Sequence, residues 1–385
     1  MNSKRIKVKI KELGKVVGGA TPSTRNPENW GGSIPWLTPK DLANHRERFI
    51  KKGEKCISQK GYESCSTKML PKGTVLFSSR APIGYCAIAE NDICTNQGFK
   101  SIIPNENTDS LFLYYLLKSN IDAIANHASG TTFPEISGKA MEEIEVLIPE
   151  DKNEQKQIAR VLNVFDRKIE NNLKLNDYLT DLSSAIYNEF INRSSGKWGT
   201  LSDIVDLIKE PISSRTRPEL PYLPIDVIPM KRIGIEGFRP YEEAKSSLQL
   251  FKKDDIVIGA MRVYFHRVIL TPCKGMTRNT CFVLRPRNKN LREFALLSCF
   301  QNETIEFANL HSKGSTMPYA VWKGSFENCP VFIPNEHDLE VFSIRMSPLI
   351  DKIRDIYKEN SALINLRNDL LSQLLSGKID LSKFN

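Results

Sequence analysis

Two stretches of the chain carry a helical rhythm that the rest lacks. Residues 153–193 contain neither Gly nor Pro, and apolar side chains recur at Ile158, Leu162, Phe165, Ile169, Leu175, Leu179, Leu182, Ile186 and Phe190. Spacing by threes and fours predicts one apolar face on a single long helix. Residues 337–376 repeat the rhythm with Leu339, Phe342, Leu349, Ile353, Ile356, Leu363, Leu370 and Leu374. Pro348 interrupts this second run, and either kinks the helix or marks its true beginning. At 1.5 Å per residue each run makes a rod of roughly 60 Å, too long for its own domain to cover a narrow apolar stripe. The predicted partner is the other helix, in an antiparallel coil whose contact takes in Ile158, Leu162, Phe165, Ile169, Leu179, Leu182 and Ile186 from one rod. Leu349, Ile353, Leu363, Leu370 and Leu374 come from the other. Asn172 and Asn360 fall at comparable places along the two stripes, either as register-fixing polar residues in the seam or facing solvent.

Outside the rods the pattern changes to short alternating stretches such as Thr74–Ser78 and Asp255–Ile258, set among Gly, Pro, aromatic and β-branched residues. This predicts strand-rich domains with long loops and a few helices. The stretches occur twice, in the same order. Gly130-Thr131-Thr132-Phe133-Pro134 returns as Gly314-Ser315-Thr316-Met317-Pro318, and Val146-Leu147-Ile148-Pro149 as Val331-Phe332-Ile333-Pro334. Lys72–Phe77 with Arg80 is echoed by Lys253–Ile258 with Arg262, and Thr95–Pro104 by Thr277–Pro286. Such self-similarity predicts a duplicated α+β architecture: a strand-rich domain over residues 1–150, a helical spacer over 151–195, a second strand-rich domain over 196–335 and a second spacer over 336–385. Both rods end alike, in Ser195-Gly196-Lys197 and Ser376-Gly377-Lys378, where Gly is a normal helix stop. The sequence after Trp198 resembles the first residues of the chain, as expected of a closed, pseudo-two-fold particle.

Composition narrows the class. With 385 residues, 40% hydrophobic and 26% charged, the chain reads as two or three globular domains. No apolar run reaches the ~18–20 residues of a membrane helix, and the first residues lack the apolar core of a secretion signal, so a cytoplasmic, non-membrane protein is expected. None of the eight cysteines forms a C-x-x-C pair, which predicts free thiols and no metal centre. The five histidines are too dispersed for a metal cluster. The net charge is +9, divided evenly: 27 Lys and Arg against 23 Asp and Glu in residues 1–195, and 27 against 22 in residues 196–385. Basic residues gather within loops: Lys40, Arg46, Arg48, Lys51, Lys52 and Lys55 in one half, and Arg215, Arg217, Lys231, Arg232 and Arg239 in the other. Such a loop is either a solvated face or a surface that grips phosphates and reaches base edges, and two of them in duplicated domains shift the balance towards nucleic acid, with double-stranded DNA as the expected partner. A pseudo-dimer in one chain can place two unlike readers on two half-sites about one helical turn apart, with the rods as a ruler. Similarity is lost in the long loops 40–70 and 210–250, where recognition is expected to vary.

Several segments also resemble a known family. Gly18-Gly19-Ala20-Thr21-Pro22-Ser23-Thr24 followed by Trp30-Gly31-Gly32-Ser33-Ile34-Pro35-Trp36-Leu37-Thr38-Pro39-Lys40-Asp41-Leu42 is similar to the opening of a target-recognition domain of type I restriction-modification specificity subunits. Ser78-Ser79-Arg80-Ala81-Pro82-Ile83-Gly84 and Thr95-Asn96-Gln97-Gly98-Phe99 resemble the same domain, and Glu154-Gln155 through Ile158 and Leu374–Ile379 resemble the family's helix ends. The second domain departs from this pattern: Pro221-Tyr222-Leu223-Pro224-Ile225 stands in place of the GGxP…PW opening, and Arg262-Val263-Tyr264 in place of Arg80–Gly84. The resemblance implies that each domain reads one half of a bipartite DNA site. It also implies that the helices dock modification subunits, adenine methyltransferases using S-adenosylmethionine, and that restriction subunits using ATP and Mg²⁺ can join. The cofactors would then sit on partners, with none in this chain.

A non-catalytic role is expected on the residues themselves, since no phosphate-binding G-x-x-x-x-G-K-[ST] loop, Rossmann GxGxxG or Asp/Asn-Pro-Pro-aromatic tetrapeptide is present. The DNA face is expected to use Thr38, Lys40, Arg46, Arg48, Ser78, Arg80, Asn96, Gln97 and Thr131 in the first domain, and Arg215, Arg217, Arg232, Arg262, Tyr264, Arg278 and Thr316 in the second. Arg pairs naturally with guanine and Asn or Gln with adenine. Turn chemistry is the competing role for the Ser, Thr and Asn residues. The rival functional readings are a coiled-coil scaffold that binds protein, a DNA-binding protein that works without methyltransferase partners, and an enzyme acting alone.

Overall fold

The structure, a computed structural model, describes residues 4–43, 45, 47–130, 134–212, 218–245 and 247–379. It forms two compact α+β units: Met1–Glu170 with Ile364–Asn385, and Asn171–Leu363. The unit boundaries fall within the long helices and not at the Ile-Pro strands, so each unit owns part of both rods.

In the first unit a five-stranded sheet has the order Gly14–Gly18, Lys100–Pro104, Val75–Ser79, Ile83–Ala89, Phe49–Ile50, and a three-stranded sheet the order Lys55–Ile57, Trp30–Leu37, Cys94–Thr95. The second unit holds two four-stranded sheets: Val205–Leu207, Cys281–Pro286, Ile256–Gly259, Val268–Leu270, and Pro211–Ile212, Leu248–Phe251, Gly275–Arg278, Tyr222–Leu223. Each unit also has an antiparallel ribbon, Arg5–Lys9 on Glu145–Pro149 and Gly196–Thr200 on Pro330–Pro334. The repeat read from the motifs is therefore a repeat of strands. It even aligns the divergent openings: Trp36-Leu37 pairs in parallel with Cys94-Thr95, and Tyr222-Leu223 in parallel with Met276-Thr277. All eight cysteines are free. Burial pushes the Cys94 and Cys281 thiols up to about 11.

The central helix spans Lys152–Arg193 and the C-terminal helix Glu336–Leu375. The latter begins at Glu336 and continues through Pro348, so the proline is neither its start nor its end. In the first unit Ile158 and Leu162 are fully enclosed with Leu371, Leu374 and Leu375, each such side chain contributing ~1.5–3 kcal/mol on burial. Arg367 pairs there with Asp166. In the second unit Asn172 Nδ2 donates to Asn360 Oδ1 at 2.8 Å, and Phe190 lies on Phe342 with ring centres 4.4 Å apart. Positions rise along one helix as they fall along the other, so the pairing in both units is antiparallel. The asparagines are seam residues.

The seam differs from the apolar stripe in its middle. Beyond Leu162 the buried positions of the central helix are Asp166, Ile169, Asn172, Leu173, Asn176, Thr180, Ser183 and Tyr187, whereas Leu182, expected in the contact, is 47% exposed. Leu175 and Tyr178 are exposed beside it. Phe165, Leu179 and Ile186 are half-buried, as are Leu349, Leu363 and Leu370; Ile350 and Ile353 are buried. The discrepancy arises because small polar residues occupy the true seam. Thr180 and Ser183 satisfy their hydroxyls on their own helix, donating to the carbonyls of Asn176 at 2.8 Å and Leu179 at 2.7 Å. A hydrophobicity pattern cannot see such positions.

The C-terminal helix stops at Gly377, whose φ of +76° allows the amides of Gly377 and Lys378 to close back on the carbonyls of Leu374 and Gln373. Arg5 of the first strand also caps this helix end. Its guanidinium donates to the carbonyls of Leu375 and Leu374 at 2.9 and 2.8 Å and meets Glu154 at 2.7 Å.

Candidate nucleic-acid interface

Three of the repeated motifs converge in each unit through one hydrogen-bond chain. In the first, the amide of Ser79 donates to the carbonyl of Gly98, and the amide of Ile136 donates to the carbonyl of Ser79. In the second, Ala260 donates to Thr280, and Ala320 to Ala260. The chain joins the turn after the central strand of the sheet to the Asn96–Gly98 or Arg278–Thr280 segment. It also joins that turn to the loop that opens at Gly130 or Gly314, both left-handed glycines with φ of +101° and +91°. Short bridges, Ser129 with Glu135 and Lys313 with Tyr319, close the two loops identically.

The turn itself is strained in both units. Ala81 and Arg262 are non-glycine residues with the same φ of +49°. Left-handed conformations in such residues cost ~1–3 kcal/mol and cluster at functional sites. This match also corrects the alignment of the two halves: Arg262 stands at the place of Ala81, and the counterpart of Arg80 is Met261.

Arg80, half-exposed, reaches Glu135 at 3.2 Å. Lys100 reaches the other oxygen of the same carboxylate at 3.2 Å. Gln97 is exposed and accepts from the Thr21 hydroxyl at 2.5 Å. Asn96 closes a turn, accepting from the amide of Gly98 at 2.8 Å. In the second unit Arg262 donates its amide to Pro318 at 2.7 Å, Tyr264 is exposed with its ring on Phe265, and Arg278 and Thr316 are exposed.

Other expected DNA contacts have structural partners. Arg48 is 3% exposed; its guanidinium lies on both oxygens of Glu170 at 2.9 Å and also bonds Asn163. Burial works to lower the Arg48 pKa, yet the Glu170 hydrogen bonds and the neighbouring Tyr115, Glu170 and Asp166 carry it above its ordinary value. Arg232 makes two 2.7 Å bonds to Asp177 on the central helix. Ser78 is buried, donating to the Pro82 carbonyl and accepting from the Tyr85 amide, both at 2.8 Å. Thr38 donates through its amide and hydroxyl to Asp41 at 2.7 Å, so turn chemistry holds it. Lys40 is exposed and pairs with Glu54 at 3.1 Å. Arg46, Thr131, Arg215 and Arg217 lie outside the described residues.

Lys100, Glu135 and Tyr319 were not singled out in the sequence, although each lies within or beside a repeated motif. Their signal was positional: two residues beyond the Asn-Gln-Gly turn, or next to the Gly-x-Thr-x-Pro loop.

Comparison with known proteins agrees with this architecture. Residues 3–180 match the model of the type I restriction modification DNA specificity domain. The type I restriction enzyme MjaIX specificity subunit of Methanocaldococcus jannaschii is 32% identical over 96% of this chain and 92% of its own length. The EcoR124I/EcoR124II specificity subunit of Escherichia coli is 30% identical over 44% of this chain and 46% of its own. The crystal structure of the type I restriction-modification S subunit from M. genitalium superposes with a TM-score of 0.54 at 20% identity, covering 97% of this chain and 96% of that one, which shows a shared fold.

Proposed function

Because this chain belongs to the family of type I restriction-modification specificity subunits, we propose that it reads a bipartite DNA site, one half per compact unit, and carries modification subunits on its long helices. It is a DNA-recognition subunit and not itself an enzyme. The observation behind the bipartite reading is the twice-built junction: the same hydrogen-bond chain, the same strained turn and the same Gly-opened loop, carrying different side chains in each unit. A common frame with unlike side chains is what two unlike half-sites require. Adenine methylation from S-adenosylmethionine belongs, in this reading, to the docked subunits, and ATP and Mg²⁺ to restriction subunits where these join.

The test lengthens both helices at the unit boundaries, by seven residues between Glu170 and Asn171 and seven between Leu363 and Ile364. Two full heptads keep the seams of both units in phase. The added rise is ~10 Å, about three base pairs at 3.4 Å each. Sites methylated by the assembled complex should keep both half-sequences and gain about three unspecified pairs between them. Altered half-sequences with an unchanged gap would refute the proposal. A scaffold that binds protein would show no salt-sensitive DNA binding at all, whereas DNA affinity should fall with a log–log slope of roughly −0.9 per phosphate neutralised.

A further inference from the structure

The matched hydrogen-bond chains assign equivalent positions residue by residue. One step beyond Ser79 and Ala260 stand Arg80 and Met261; one step before Ile136 and Ala320 stand Glu135 and Tyr319; two steps beyond Gly98 and Thr280 stand Lys100 and Phe282. The same three places thus hold Arg, Glu and Lys in one unit and Met, Tyr and Phe in the other. In the first, one carboxylate holds both cations at 3.2 Å. In the second, Met261 and Tyr319 form a backbone bridge, Tyr319 is 48% exposed, and Phe282 packs on Trp322.

We infer that these are the positions at which the two units diverge in base recognition: Glu135 is a positioning residue that presents Arg80 and Lys100 as one hydrogen-bonding head, and Met261 with Tyr319 is the apolar head of the other unit. The inference rests on the proposed reading of a two-part site.

The chemistry favours base edges over phosphates. Glu135 cancels one of the two positive charges beside it and repels a phosphate. It also fixes the guanidinium, as hydrogen bonding to a base edge demands. Met and Tyr cannot neutralise a phosphate, but an apolar or aromatic surface matches a thymine methyl or the face of a base. The left-handed turn at Ala81 and Arg262 holds the first residue of each head next to the loop that supplies the second.

The test uses the full chain assembled with its modification subunits, given S-adenosylmethionine and a DNA library randomised across both halves of its site. Methylated molecules are then sequenced. Arg80→Ala and Glu135→Ala should each flatten the preference at one or two adjacent positions of one half-site, by roughly ten- to a hundredfold. The other half-site should remain unchanged, and Glu135→Asp should restore part of the preference. Tyr319→Ala and Met261→Ala should flatten positions of the opposite half only. Variants that lower methylation of all sequences alike, or leave every base preference intact, would overturn the inference. Melting temperature separates these effects from misfolding. If Glu135→Ala does not fold, the half-exposed Arg80 and the exposed Tyr319 decide the matter alone. Failure of the underlying reading looks different, because the unaltered complex would then show no two-part site.

Discussion

Arg48 offers the sharpest separation between fastening and recognition. It sits in a basic loop, yet its side chain is 4% exposed and Glu170, its bidentate partner, 16%. The contact belongs to a larger buried set. Arg48 also faces the Tyr115 hydroxyl at 3.4 Å; Tyr115 donates to Asp166 at 2.6 Å, and Asp166 pairs with Arg367 of the C-terminal helix. One loop residue thereby ties the sheet domain to both rods within the first unit. Replacing Arg48 with Ala leaves Glu170 enclosed without its principal counter-charge. Breaking a buried pair on one side costs ~3–5 kcal/mol. For a body of this size each kcal/mol moves the melting temperature by ~2–4 °C. The first unit should therefore melt ~6–20 °C lower, measured by calorimetry.

The double variant Arg48→Met with Glu170→Leu should recover a large part of that loss, because an apolar pair of similar volume carries no stranded charge. DNA affinity of the folded Arg48→Ala protein, and its dependence on salt, should stay as in the parent chain. A variant that kept its melting temperature but lost DNA binding would refute the assignment and return Arg48 to the recognition surface.

The helices, a buried histidine and an exposed ion pair supply the remaining tests. Ile169→Glu places a charge at a buried seam position and should destabilise the isolated chain by several kcal/mol, ~3 or more. Leu182→Glu, on the exposed face, should leave the melting temperature unchanged and weaken only the capture of modification subunits, as read by size-exclusion chromatography. Asn176 has both amide atoms buried without a hydrogen-bond partner among the described residues, so Asn176→Leu should raise stability by ~1–3 kcal/mol in denaturant titrations. Burial holds the His266 pKa below its ordinary 6.5, with the ring Nε2 on the Phe300 carbonyl at 2.9 Å. As pH falls the unfolded chain takes up the proton first, so the second unit should be fully stable above about 6.5 and lose stability below it. His266→Asn should flatten that dependence in a melting series from pH 7.5 to 5. Hydrogen bonds from Lys11 and Lys9 hold Glu143 down to about 2, so its contribution is present above pH 4.5 and lost as pH falls through about 2; Glu143→Gln should abolish that acid limb.

The duplicated frame was legible because its signals are local. Gly130 and Gly314 mark left-handed turns, the Ile-Pro strands form matched ribbons, and the apolar ends of the rods lie where three-and-four spacing put them. The middle of the seam was not, because Asn176, Thr180 and Ser183 sit where an apolar rule looks for Leu and Ile. Loop charge misled for a similar reason. A buried Arg in an ion pair and an exposed Arg near DNA have the same letter, and only the carboxylates brought up from distant segments, Glu170 for Arg48 and Asp177 for Arg232, tell them apart.

That distinction bears on how such a chain can change its target. The hydrogen-bond chain through Ser79 and Ala260 runs through backbone amides and carbonyls, with the Ser79 hydroxyl adding a bond to the Gly98 carbonyl at 3.2 Å, so the neighbouring positions 80 and 261 can change side chain without removing a link of the chain. Arg80 and Met261, or Glu135 and Tyr319, are different side chains at equivalent places of one frame. Arg48 and Arg232 are different, because each is matched to a carboxylate on the central helix, and exchange of Arg48 strands the enclosed Glu170. Variation is therefore cheap at the turn and loop and expensive at the rods. A chain built in this way can acquire new recognition chemistry in one unit while the helices, and whatever docks on them, stay the same.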